Sequence, residues 1–168
     1  MNATILFPGV KYMNDQVQTV SDALTVEEIL NISINGEAYT MTMRTPGDEE
    51  DLVRGILLSE DVYDDRATNP RMLISEKNEK GYITKMNVLI PADKIRPGIE
   101  SKRNLVSVSS CGMCGKSEMD LSLPGETIRP FKKLPVAYIG RMFEMMNEQQ
   151  NTFKDSGGSH AAAAFTAD

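Results

Sequence analysis

The stretch "EEILNISINGEAYTMTMR", residues 27–44, constrains the fold more than any other in the chain. Ile32 and Ile34 alternate with polar residues, Asn35-Gly36 follows, and Tyr39, Met41 and Met43 alternate on the return. Alternation with a period of two gives a strand one apolar face, and Asn-Gly suits the tight turn whose two central residues need positive φ. The spacing predicts a β-hairpin. The next segment, "TPGDEEDLVRGILLSE", changes period: Leu52, Val53, Ile56 and Leu57 recur at helical spacing. Asp48 is placed as the N-cap, and Glu49, Glu50 and Asp51 complement the positive end of the helix dipole. That explanation accounts for the acidic cluster without a catalytic role.

"RMLISE" and "GYITKMNVLI" read as a second strand pair joined by the polar turn "KNEKG". "RNLVSVSS" is a further strand, and it runs into a Gly-rich turn. "LPVAYIGRMFEMMNEQQ" is a helix with Pro135 in its first turn and Val136, Ile139, Met142, Phe143 and Met146 on one face, a stripe expected to pack in a core. In "FKDSGGSHAAAAFTAD" alanine propensity favours helix, while the short apolar run equally suits a small-residue strand. The fold class expected is α/β in the broad α+β sense. A β-rich region with one helix spans 1–100, and a second domain carrying the Gly-rich turn begins at 101 and runs to 168.

Apolar content of 40% and charged content of 25% are those of a water-soluble globular protein. No apolar run nears the roughly 20 residues that span a bilayer, and the N-terminus has neither a basic leader nor a long apolar region. A cytoplasmic location, with no membrane partner, is expected. Net charge of −6 argues against a nucleic-acid binder with a uniformly basic surface. Charge is uneven, however: residues 94–141 carry nine Lys or Arg and four acids, a local +5, against −11 elsewhere. Such a stretch is either a solvated basic segment or a surface that meets an anion such as a phosphorylated cofactor.

Inside it lies "SVSSCGMCGKSEMD", with Cys111 and Cys114 the only cysteines. In a reducing compartment a lone CxxC points to metal binding or catalysis rather than to a structural staple. Zinc wants four ligands, or three and a water. Here there is one hook and one histidine, His160. The zinc nucleobase deaminases share a Cys, Cys, His set but need H-x-E ahead of the cysteines. In this chain the cysteines come first and Ala162 stands two after His160, so no metal is expected. A thioredoxin-like pair would lower the attacking thiol's pKa, but the usual aromatic, the intervening proline and a βαβ pattern are missing. A sulfur carrier needs an exposed, flexible thiol with positive surroundings. Gly112 and Gly115 provide freedom and Lys116 favours the thiolate. Chemistry alone leaves the redox and carrier readings side by side.

Three blocks, "RTPGDEEDLVRGILLSE", "NLVSVSSCGMCGKS" and "SGGSHAAAAF", occur in the order and approximate spacing of the formate dehydrogenase accessory sulfurtransferases. From Ile29 onward the chain resembles that family, the FdhD family. The resemblance implies a carrier that accepts sulfur as a persulfide from a cysteine desulfurase. It would pass that sulfur to the molybdenum of bis-molybdopterin guanine dinucleotide, for which guanine nucleotide is a mimic, before formate dehydrogenase becomes active. It also implies a cytidine deaminase-like core without the zinc site, whose first portion would be residues 101–168. Cys111 matches the persulfide cysteine and Cys114 the second one. Gly157, Gly158 and His160, with Lys116, are the expected cofactor contacts, since a Gly-Gly pair lets backbone approach a bulky ligand. Two departures stand out: Ser156 replaces the family's usual Thr and keeps the hydroxyl, and family members continue past the position of Asp168 into a second half. The chain is therefore expected to be a fragment that binds guanine nucleotide poorly. Partners implied are the desulfurase, the formate dehydrogenase apo-enzyme and, in a homodimer, a second copy. The rival functions are a non-enzymatic chaperone that holds the cofactor or the apo-enzyme, and a thiol redox module.

Overall fold

A computed structural model describes residues 2–63, 68–96 and 133–166, with the backbone alone at 105–107. The chain divides into two compact units, Met1–Ala3 with Val26–Ser117 and Thr4–Thr25 with Glu118–Asp168. The domain boundary expected near residue 100 lies outside the described residues. Among the described residues no helix is long and apolar enough to cross a membrane.

In the first unit the expected hairpin forms as β3 (Glu28–Ile34) and β4 (Glu37–Arg44); strands β1 and β2 precede it in the chain and are given below. Asn35 and Gly36 both take positive φ, 51° and 87°, as the tight turn requires. The Asn35 side chain does a second job. Its amide nitrogen donates to the Ile90 carbonyl (2.8 Å) and its oxygen accepts from the Ile90 N–H (2.9 Å), so the turn is fastened to the end of the neighbouring strand. That strand is β6 (Ile83–Leu89), which pairs with β3 in parallel and with β5 (Arg71–Lys77) antiparallel. A short β7 (Leu105–Ser107) runs parallel beside Thr40–Thr42. The sheet order is β5-β6-β3-β4-β7.

One face of this sheet carries the core. Leu30, Ile32 and Ile34 of β3 lie beside Met86 and Val88 of β6, and α1 (Glu49–Ser59) adds Val53 and Leu57. Leu52 and Ile56 pack at the margin of this cluster. Full burial of side chains this size is worth about 1.5–3 kcal/mol each, so this layer holds the unit together. The alternation expected along β4 breaks at a bulge: Ile32 pairs with Thr40 and Ser33 with Ala38, leaving Tyr39 as the extra residue. A one-residue slip exchanges the faces of a strand. Tyr39 keeps its expected place in the core, whereas Met41 is turned to pair with Asn31 on the opposite face and Met43 is half exposed.

In the second unit, β1 (Thr4–Met13) and β2 (Gln16–Thr25) form a two-stranded ribbon turned at Asn14-Asp15, both with positive φ. The helix expected after "LP" is α2 (Val136–Gln149), with Pro135 one residue ahead of it at the cap rather than inside its first turn. The stripe on α2 is not core. Val136, Ile139 and Phe143 are exposed, and no described residue of α2 is buried. Amphipathic spacing specifies a face that can be covered but not what covers it. A third helix, α3 (Asn151–Ser156), ends at Gly157. The alanine run that follows is neither helix nor strand. Gly157 in the left-handed conformation stops the helix, and short alanine runs do not nucleate another without packing.

Candidate functional site

Cys111, Cys114 and Lys116 lie outside the described residues. What is described is their approach: β7 runs beside β4, and Cys111 follows Ser107 by four residues in the sequence. Next to this strand, at the end of β4, is a buried ion pair. Arg44 donates through Nη2 to Glu49 Oε1 (2.9 Å) and to the Ile83 carbonyl, and through Nη1 to the Glu28 carbonyl (3.2 Å). The same Glu49 oxygen accepts the Gly47 N–H at 3.1 Å. One guanidinium thus ties the start of β3, the start of β6 and the first turn of α1 together.

Glu49 is thus the acid that fastens the start of α1, although it does so ahead of the helix, through Gly47 and Arg44, and not as a cap. Asp48 sits at the N-cap position but its side chain makes no capping bond. Sequence reasoning grouped Glu49 with Glu50 and Asp51 as acids that complement the helix dipole; Glu50 and Asp51 are exposed and pair with half-buried Arg54. The missed signal was Arg44, a cation that ends an otherwise uncharged run of strand residues five positions ahead of Glu49.

The second block comes after α3. Gly157 has φ 66°, a conformation that L side chains rarely adopt, and its N–H returns to the Phe153 carbonyl at 2.7 Å. A Cβ at Gly158 would sit 3.3 Å from Thr25 Oγ1, so the glycine is there to let the loop approach β2. Between them Ser156 organises a small network. Its hydroxyl donates to the Thr152 carbonyl (2.8 Å), accepts the Gly158 N–H (3.2 Å) and lies 2.6 Å from Thr25 Oγ1. With the Ser156 proton committed to Thr152, Thr25 is the donor in that contact. The hydroxyl kept at position 156 thus closes the helix and joins it to the ribbon. Gly157, Gly158 and His160 share this one loop, and His160 is exposed rather than packed. Among the described residues no group of three or more His, Cys, Asp or Glu could hold a metal ion.

A family model described as the FdhD/NarQ family matches residues 25–168, a span that includes the strand leading to the cysteines, both cysteines and the Ser156 loop. The chain belongs to the FdhD/NarQ family. Proteins named sulfur carrier protein FdhD are its relatives. That of Mycolicibacterium paratuberculosis is 32% identical over 88% of this chain and 56% of its own length. That of Streptomyces coelicolor is 31% identical over 95% and 59%, and that of Corynebacterium efficiens 34% identical over 90% and 58%. The chain thus spans somewhat more than half the length of these FdhD proteins. The crystal structure of a provisionally named formate dehydrogenase accessory protein from Desulfotalea psychrophila aligns at 19% identity and a TM-score of 0.45, over 54% of this chain and 35% of that one, a likeness too loose to build on.

Proposed function

We propose that this FdhD/NarQ family member carries sulfur for the maturation of formate dehydrogenase, with Cys111 as the acceptor thiol. The observation that carries the reading is the family match running through Cys111 and Cys114, joined to relatives that are named sulfur carriers. The Cys111 thiolate attacks the outer sulfur of a donor persulfide. A new S–S bond forms at Cys111, the donor's S–S bond breaks, and the donor leaves as its own thiolate. Thiol and persulfide exchange places without net oxidation, so this step consumes no reductant. Lys116 would favour the thiolate. Cys114 would share the carried sulfur, or expel it as hydrosulfide by attacking the Cys111 sulfur, which leaves a Cys111–Cys114 disulfide that a small cellular thiol must reduce before the next cycle.

The donor in this reading is a cysteine desulfurase in the cytoplasm. The recipient is bis-molybdopterin guanine dinucleotide, treated as cargo, on its way to the formate dehydrogenase apo-enzyme. The loop Gly157, Gly158 and His160 is proposed on its side. The local geometry already gives both glycines a structural reason, so exposed His160 is the residue of that loop with a function left to assign. We further propose that residues from 101 onward begin a deaminase-like domain without zinc, and that the β-rich region before it is a separate domain.

The test is formate dehydrogenase activity in cells whose only copy of the full-length protein carries Cys111→Ala. Loss of activity, with the variant present at normal abundance, supports the carrier. Normal activity in Cys111→Ala together with Cys114→Ala favours a chaperone that merely holds its client.

A further inference from the structure

The face of the five-stranded sheet opposite the core is not flat. A hollow of about 410 Å³ opens on it, lined among others by Asn31, Ser33, Met41, Glu76 and Lys85. Its depth follows from the side chains at its floor: Ser33 pairs with Ala38, and Gly36 closes the hairpin beside them, so three small residues are ringed by longer ones. Its charge follows from register. Lys85 is the partner of Asn31 on one side and of Glu76 on the other, which puts a cation and an anion on one row. An extra residue in β5, Ser75, brings Glu76 into line with Lys85, and the register shifts back on the β6 side at Thr84.

None of these polar groups is used up. Lys85 and Glu76 make no ion pair among the described residues, although register partners stand only about 5 Å apart at their Cβ atoms. Asn31 donates its amide N–H to the Thr84 carbonyl at 3.1 Å, which fixes the amide and leaves its oxygen as an acceptor. Ser33 is only 4% exposed, yet its hydroxyl, which has no hydrogen-bond partner among the described residues, is not among the polar atoms sealed from solvent, so it opens onto the hollow as an available donor.

We propose that this hollow binds a small zwitterion of the α-amino-acid class. Its carboxylate would face Lys85 and the Ser33 hydroxyl, and its ammonium would face Glu76 and the Asn31 oxygen. An anion alone would meet Glu76, and a cation alone would meet Lys85. Only a short molecule carrying both charges answers all four groups. The assignment is independent of the sulfur-carrier reading and can fail without it.

Amide spectra of the full chain titrated with L-alanine test it. The Asn31 and Ser33 signals should shift to saturation with a dissociation constant on the order of 1 mM. N-acetyl-L-alanine, which lacks the cation, and L-alaninamide, which lacks the anion, should each bind about two- to fivefold more weakly. Glu76→Gln should weaken L-alanine but tighten N-acetyl-L-alanine, whose lone carboxylate no longer meets an anion, and Lys85→Met should weaken L-alanine but tighten L-alaninamide, whose ammonium no longer meets a cation. Both positions are exposed, so the variants are expected to fold. Absence of saturation with L-alanine, or equal affinity for the capped compounds, overturns the proposal.

Discussion

The two units of this chain solve the problem of burying apolar side chains to very different degrees. In the five-stranded unit the central strands β3 and β6 are covered on one face by α1, and Leu30, Val53, Met86 and Val88 are wholly excluded from water. In the unit built from the ribbon and α2–α3, no described residue is buried, and Phe7, Val10, Val136 and Phe143 are all exposed. The difference teaches where stability can come from. A two-stranded ribbon and two helices whose described residues share no buried core rest on local hydrogen bonds and turn geometry, which are marginal in water. Substitutions in the first unit should therefore act on cooperative unfolding, and those in the second on local order.

The largest effect is expected at the buried ion pair. Glu49→Ala leaves the Arg44 guanidinium uncompensated among backbone carbonyls, and removing one member of such a pair costs about 3–5 kcal/mol. Urea unfolding should show a strongly lowered midpoint. A midpoint unchanged from wild type would mean that the first unit does not depend on this junction.

A matched pair of core and stripe substitutions sharpens the contrast. Met86→Ala should cost about 2–5 kcal/mol by emptying space between β3, β6 and α1. Phe143→Ala, on the exposed face of α2, should stay within about 0.5 kcal/mol in the same urea experiment. Equal losses would show that α2 is packed in solution and would erase the difference between the units.

A smaller, local effect is expected in the second unit. Gly157→Ala forces a Cβ into the left-handed region at a cost of about 1–2 kcal/mol. Amide exchange should quicken across α3 while β3 and β6 keep their protection. Spread of the effect into those strands would contradict the separation.

The smallest effect is confined to alkaline pH. Burial, with a lesser contribution from the Glu60 charge, pushes the Tyr39 phenol from 10.0 to about 12. The folded state then holds this proton where the unfolded chain has lost it. Tyr39 leaves stability untouched below pH 10 and lowers it as pH rises towards about 12. Tyr39→Phe should flatten that decline, and tyrosinate absorbance should show one phenol titrating late. An identical alkaline profile in the variant would return Tyr39 to the solvent-facing residues.

Much of the first unit was legible because its signals are local. Asn35-Gly36, the polar turn before Gly81 and the helical spacing of Leu52 to Leu57 each locate an element without reference to the rest of the chain. What escaped was set by contacts between elements. The bulge that keeps Tyr39 inward but turns Met41 and Met43 outward depends on pairing with β3, and the role of Glu49 depends on Arg44 and on two strand starts distant in sequence. The N-terminal ribbon was missed although Asn14-Asp15 between apolar runs is itself a turn signal. In the candidate site, the Ser156 loop was legible as a Gly-Gly loop. Its tie to Thr25, 131 residues earlier, was not, because a hydroxyl–hydroxyl contact leaves no periodic trace in the sequence.

The functional account rests on one thiol. Incubating the protein with a cysteine desulfurase and cysteine, and then mapping peptides by mass spectrometry without reduction, tests it most directly. The account predicts one added sulfur atom on the peptide containing Cys111, retained in Cys114→Ala and absent in Cys111→Ala. A protein that emerges without added sulfur, or whose added sulfur persists in Cys111→Ala, would contradict the assignment of Cys111 as the carrier.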